Sequence, residues 1–191
     1  MGRPALISRG AVLAAALAVA DQEGLEGVTM LAVARLLGVT PMALYRHVGG
    51  KDDLLDGLVE VLVDDLAAAA PGSGAPGLRG GVEAFAAAAA SLAKRHPAVC
   101  TLLLTRPVNT PSARARREEV HGLLRGFGVA GEQVVMAERL LTSTVLALAA
   151  GQAAGRFSVP LTDADLRAAV DFIVAGIGAF LPDRARTGAA Q

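Results

Sequence analysis

A glycine and a proline three residues apart, Gly38 and Pro41, constrain the local geometry of this chain more tightly than any other feature. Before them, Thr29 to Gly38 (TMLAVARLLG) places Met30, Val33, Ala34 and Leu37 at positions i, i+3, i+4 and i+7, the spacing of one helical face. After them, Thr40 to Lys51 (TPMALYRHVGGK) opens on a capping hydroxyl and a proline suited to a first helical position. The spacing predicts two short helices, the second over Pro41 to Val48. Gly38 would take the left-handed backbone of the turn, Ala34 would sit where the helices come close, and Val39 and Leu44 would tuck beneath the first. This is helix-turn-helix geometry, which aims the N-terminal residues of the second helix at base edges in a major groove. Any all-helical protein can contain such a hairpin, so the polar residues matter. Tyr45, His47 and Lys51 set polar tips around the second helix and the start of the next, where they can grip phosphates.

No strand-like alternation and no internal repeat occurs in the 191 residues, and the predicted fold class is all-α with about nine helices. Two domains are expected: residues 1–52 as a three-helix DNA-binding head, and residues 53–191 as a larger helical ligand-binding and dimerisation body. A first helix starts at Ser8, presents Leu13, Ala16, Leu17 and Ala20 on one face, and stops near Gly24. A fourth runs from Lys51 to Ala70, with Leu54, Leu58, Val61 and Leu62 opposite its aspartates. Pro71 to Gly77 (PGSGAPG) is a break, and further helices follow over Leu78 to Arg95 and on to Leu104. Arg106 to Thr110 is a loop. Thr110-Pro111 opens a helix with Arg114, Arg116 and Arg117 that ends near Gly126 to Gly128. Glu132 to Phe157 forms a long segment, and a Thr162/Asp165 capping box opens a last helix reaching Leu181. Small residues at Ala147, Gly151, Gly155, Ala175 and Gly176 would let these last two helices approach closely, either as core or as half of a two-fold four-helix interface.

The hydrophobic fraction is 53% and the mean hydropathy +0.47, but much of this is alanine, which argues helix more than membrane. No uninterrupted apolar run reaches the ~18 to 20 residues of a spanning helix. Arg3 and Arg9 followed by AVLAAALAVA imitate a secretory signal, a reading that competes with the Ser8-capped helix. A lone cysteine, Cys100, fits a reducing, cytoplasmic setting. Net charge is zero, yet five bases against three acids precede Asp52, while Asp52 to Asp65 holds six acids and no base. The basic face is therefore small, and one copy would bind DNA weakly.

The stretch Val33 to Leu55 (VARLLGVTPMALYRHVGGKDDLL), within a similarity covering Ser8 to Leu66, resembles the TetR family of transcriptional regulators. KRHPAVCTLLLTRP, residues 94–107, is more weakly similar to regulatory domains of the tetracycline-repressor branch. The resemblance implies that Thr29 and Thr40 stand at helix starts that hold phosphates. It implies phosphate contacts for Tyr45, His47 and Lys51, and a base-facing tip formed by Pro41, Met42 and Ala43. Arg46 would add a base or phosphate contact. Where many relatives carry a base-reading arginine this chain has Leu31, which puts guanine recognition at that site in doubt.

The expected activity is that of a homodimeric repressor on a near-palindromic duplex, released by a small-molecule effector. Candidate pocket residues are His96, Cys100, Asn109, His121, Thr142 and Gln152. No cofactor and no metal site is expected, since the three histidines lack ligand spacing. Two other readings stay open: a regulator or activator without an effector, and an all-helical enzyme using Cys100 or His121.

Overall fold

The structure, a computed structural model, describes residues 7–69, 77–107 and 111–181, and all regular structure among them is helical. The first helix, α1 (Arg9–Gly27), starts where Ser8 Oγ accepts from the Ala11 N–H at 3.2 Å, and it breaks at Gly24, whose φ is +74°. Its buried face is Val12, Leu13, Ala15, Ala16, Val19 and Ala20, so the residues that imitate a secretory signal are here core residues.

Helices α2 (Met30–Leu37) and α3 (Pro41–Leu44) form the hairpin expected from the sequence. Gly38 takes φ +68°, its N–H donates to Arg35 C=O at 3.2 Å and the Val39 N–H to Ala34 C=O at 3.0 Å. That pair of bonds closes the helix end as a Schellman turn. Val33, Ala34 and Leu44 are fully buried. The second helix is shorter than the sequence indicated. Its α-helical part ends at Leu44, and Tyr45 to His47 form a turn in which the His47 N–H donates to Leu44 C=O at 2.8 Å. The tightening has a local cause: a β-branched Val48 and the Gly49-Gly50 pair follow, and none favours another α-helical turn.

Helix α4 (Lys51–Ala69) carries the head into the body. The Gly49 N–H donates to Asp53 Oδ2 at 2.7 Å at its start, and Leu54, Leu58, Val59 and Leu62 are buried along it. Each of these side chains contributes about 1.5–3 kcal/mol by leaving water. Gly57 lies against α1, where an added Cβ would stand 2.4 Å from Leu13 Cδ2.

The body consists of α5 (Gly77–Arg95), α6 (Pro97–Cys100), α7 (Leu102–Thr105), α8 (Pro111–Gly126), α9 (Val134–Ala153) and α10 (Asp163–Gly178). Thr101 separates α6 from α7, so the single short helix expected there is two; counted together they make nine helices among the described residues. Helix α9 packs chiefly on α5, α10 lies against both, α8 rests on α9 and α4, and α6 is pressed against α1. Pro71 to Pro76, Asn109 and Thr110 lie outside the described residues.

Two features of α9 add to the sequence reading. By length and composition it could cross a membrane, with mean hydropathy 1.5 over its apolar window, although no uninterrupted apolar run marks it. Val134, Ala137, Leu141 and Val145 bury one side of it in the body. Its glycines also do different work from the helix pairing expected of them: Gly151 leaves room for Phe157, whose Cζ would lie 3.0 Å from an added Cβ, and Gly155, at φ +65°, terminates the helix. The Thr162/Asp165 capping box is present, with the Asp165 N–H donating to Thr162 Oγ1 at 3.2 Å and the Thr162 N–H to Asp165 Oδ2 at 2.9 Å.

Candidate nucleic-acid interface

Burial along α3 sorts its residues into two sets. Leu44 is 0% exposed and anchors the helix, whereas Met42 is 74% and Tyr45 51% exposed. Large apolar side chains held in solvent on a structured element mark a contact surface. Pro41 and Ala43 are half-buried beside Met42, and Leu31 and Leu36 on α2 are exposed as well. The tip is thus apolar, suited to touching thymine methyl groups and unable to form bidentate hydrogen bonds to guanine.

Hydroxyls and cations surround this tip. Thr29 Oγ1 caps α2 by accepting from the Ala32 N–H at 3.1 Å, which still leaves its own proton to donate. Thr40 at the start of α3 makes no capping bond through its side chain. Arg35, Arg46 and Lys51 are exposed and enter no ion pair among the described residues, and His47 is half-buried. Of the nine residues singled out from the sequence, Thr29 caps α2, Thr40 precedes α3, Pro41, Met42 and Ala43 lie on α3, Tyr45, Arg46 and His47 form the turn after it, and Lys51 opens α4.

The acidic run after Lys51 would oppose a phosphate backbone if left bare. It is not bare. Arg106 donates from Nη2 to Asp52 Oδ1 at 2.7 Å and from Nη1 to Asp56 Oδ1 at 2.5 Å, while Arg9 Nη1 meets Glu60 Oε2 at 2.6 Å. Arg9 Nη2 also lies 3.9 Å from Asp53 Oδ1, and Arg95 lies 3.3 Å from Asp65. Arg106, pushed to a still higher pKa mainly by its hydrogen bond to Asp52 and then to Asp56, is a residue that sequence reasoning passed over as loop. Only the fold brings it, across some fifty positions, to the acids beside Lys51. Asp52, Asp53, Asp56, Glu60 and Asp65 of α4 are thus each met by a cation from α1 or from the segments after α4.

The residues considered for an effector pocket do not converge on one place. His96 Nδ1 lies 2.9 Å from Asp21 Oδ2, joining the end of α5 to α1. Cys100 is buried on the neighbouring α6, and burial pushes its thiol up to about 11, which makes it a poor nucleophile. Gln152 Oε1 accepts from the Leu161 N–H at 3.0 Å and ties down the connection between α9 and α10. His121 on α8 and Thr142 on α9 come near each other through Glu138, a residue with no sequence signal of its own. Asn109 is outside the described residues, and no cluster of metal-ligating side chains occurs among them.

A pair of short helices joined by a left-handed glycine turn, with exposed apolar residues on the second and exposed cations on the same segment, has helix-turn-helix geometry. Residues 12–58 match the pattern of the bacterial regulatory proteins of the tetR family. The chain belongs to the TetR family. It is 36% identical over 141 residues to the HTH-type transcriptional repressor DrrR1 of Streptomyces coeruleorubidus, an alignment covering 74% of this chain and 52% of that protein. The chain spans between 52% and 66% of the length of the curated relatives it matches. Among solved structures it resembles apo ActR from Streptomyces coelicolor, with TM-score 0.78, 22% identity and full coverage of both chains. It also resembles BioQ bound to its double-stranded DNA operator, with TM-score 0.72, 22% identity, and coverage of 91% and 99%. ActR is also known in complex with actinorhodin.

Proposed function

We propose that this protein is a homodimeric, cytoplasmic, sequence-specific DNA-binding repressor that leaves its operator when a small molecule enters the helical body, with no catalytic activity of its own. The observation that carries the reading is that Arg35, Arg46 and Lys51, exposed and without an ion pair among the described residues, share the helix-turn-helix segment and its exit with the exposed Met42 and Tyr45. Residues 1–52 act as the reading head and 53–191 as the regulatory body, with α4 shared between them. Thr29, Thr40, Tyr45, His47 and Lys51 hold phosphates; Pro41, Met42 and Ala43 meet bases.

One head neutralises few phosphates, so a second copy is needed for useful affinity. Two apolar faces support pairing: Met136 and Leu140 on α9 are 49% and 46% exposed, and Phe172 on α10 is 75% exposed. Covering them in a two-fold four-helix contact would set the heads in successive major grooves, about 34–36 Å apart. An effector that favours another spacing releases the duplex, and its differential affinity for the two states supplies the switching energy.

The test is enrichment of duplexes with randomised cores by the purified chain, followed by gel shifts and sedimentation. A dimer bound to an inverted repeat is the expected result. A monomer with no preference over random competitor overturns the proposal.

A further inference from the structure

We infer that the interior face between α8 and α9 receives the protonated amine of a small molecule; the inference rests on the reading that the body binds an effector. The His121 side chain is 7% exposed, yet its Nε2 has no hydrogen-bond partner among the described residues. Buried ring nitrogens are almost always paired, so an orphaned one marks a place where something else binds. Glu138 Oε2 stands 4.0 Å away, too far for a hydrogen bond, and the other oxygen of this carboxylate is 3.4 Å from Thr142 Oγ1. Glu138 is itself only 16% exposed and pairs with no arginine or lysine among the described residues.

The other ring nitrogen, Nδ1, faces Glu118 Oε1 at 3.7 Å. With the ring proton on Nδ1, Nε2 presents its lone pair as an acceptor. Two acceptors, one of them anionic, then stand 4.0 Å apart with no donor between them among the described residues. A carboxylate ligand would be repelled, and a hydroxyl has only one hydrogen to share between them. An ammonium supplies several N–H donors and the missing positive charge. A nitrogen ~2.9 Å from both atoms would see them at an angle of roughly 87°, close enough to tetrahedral for two bent hydrogen bonds. Helix α8 also packs on α4, so an occupant here bears on the helix that begins with Lys51.

The experiment uses the full chain with 15N-labelled histidine, titrated separately with benzylammonium, 2-phenylethylammonium, benzyl alcohol and benzoate. The amines should move the His121 Nε2 resonance, assigned by its loss in His121→Gln, and bind at least tenfold more tightly than the alcohol. Glu138→Gln should erase that preference; the wild-type comparison stands even if this variant folds poorly. Equal binding of the alcohol or benzoate, or an unmoved His121 signal with water alone in the gap, overturns the site. Gel shifts separate the two levels: amine binding without operator release sinks the effector reading and leaves the site, whereas release by these amines with His121 unmoved sinks the site and leaves the effector reading.

Discussion

Arg106, just after α7, donates to Asp52 at 2.7 Å, one residue along α4 from Lys51. The bond joins the segment after α7 to the first turn of the helix that begins with Lys51, the lysine proposed to grip phosphate, and it covers a carboxylate that would repel that phosphate. Asp52 is 91% exposed and Arg106 23%, so the pair is solvent-screened and its worth lies in position more than in stability.

Arg106→Ala should therefore cost little stability, below about 1 kcal/mol, a fall in Tm of only a few degrees for a chain of this size. Operator affinity should drop more than stability does, because Asp52 and Asp56 are then unmasked beside the duplex. Calorimetry and gel shifts on one preparation compare the two; unchanged affinity would refute the masking role.

Lys51→Ala should weaken binding to specific and random duplexes alike. For each head that loses the contact, the slope of log K against log salt should become shallower by about one. Fluorescence anisotropy at several salt concentrations measures this, and an unchanged slope would remove Lys51 from the interface.

At Gly57 helix propensity and packing oppose each other. Alanine in a helix interior gains about 1 kcal/mol over glycine, but the added Cβ would meet Leu13 Cδ2 at 2.4 Å. Leu13 is 4% exposed and has little space to yield, so overpacking of about 1–3 kcal/mol should win and Gly57→Ala should unfold at lower urea.

Asp165 has its pKa lowered by the Thr162 backbone N–H first and the Thr162 hydroxyl second. A carboxylate with a depressed folded pKa contributes stability that is present above its unfolded pKa and lost as pH falls through the folded one. Unfolding followed from pH 6 to pH 2 should show this loss below about pH 4. Asp165→Asn should lose that part of the pH dependence, and identical profiles would exclude the capping box as its source.

Cys100 should resist alkylation at pH 8, because a thiol raised to about 11 by burial is almost wholly protonated there and shielded by α1. Mass spectrometry after iodoacetamide treatment should find labelling only when denaturant is added. Rapid labelling of the folded chain would revive a reactive role for this residue.

Much of the head was legible because its signals are local. Thr29 as cap, Gly38 as left-handed terminus, Pro41 at the first helical position and the Thr162/Asp165 box each act within a few residues, and each stands where the spacing indicated. The length of α3 was misjudged because Val48 and Gly49-Gly50 weaken its last turn while the apolar spacing continues through them. The body was harder to read. His96 looked like a pocket histidine and instead meets Asp21 on α1, seventy-five positions away. Glu138 carried no signal in the sequence and stands 4.0 Å from the buried imidazole of His121.

The sequence alone determined most of the helices and their caps, since backbone preference and side-chain period are properties of neighbours along the chain. Tertiary structure alone decided that Arg106 and Arg9 meet the acids of α4, and that His121 Nε2 is buried beside α9 with no hydrogen-bond partner among the described residues. Charge neutralisation and desolvation depend on which groups packing brings within a few ångströms, and no spacing rule within one helix encodes an encounter between distant segments.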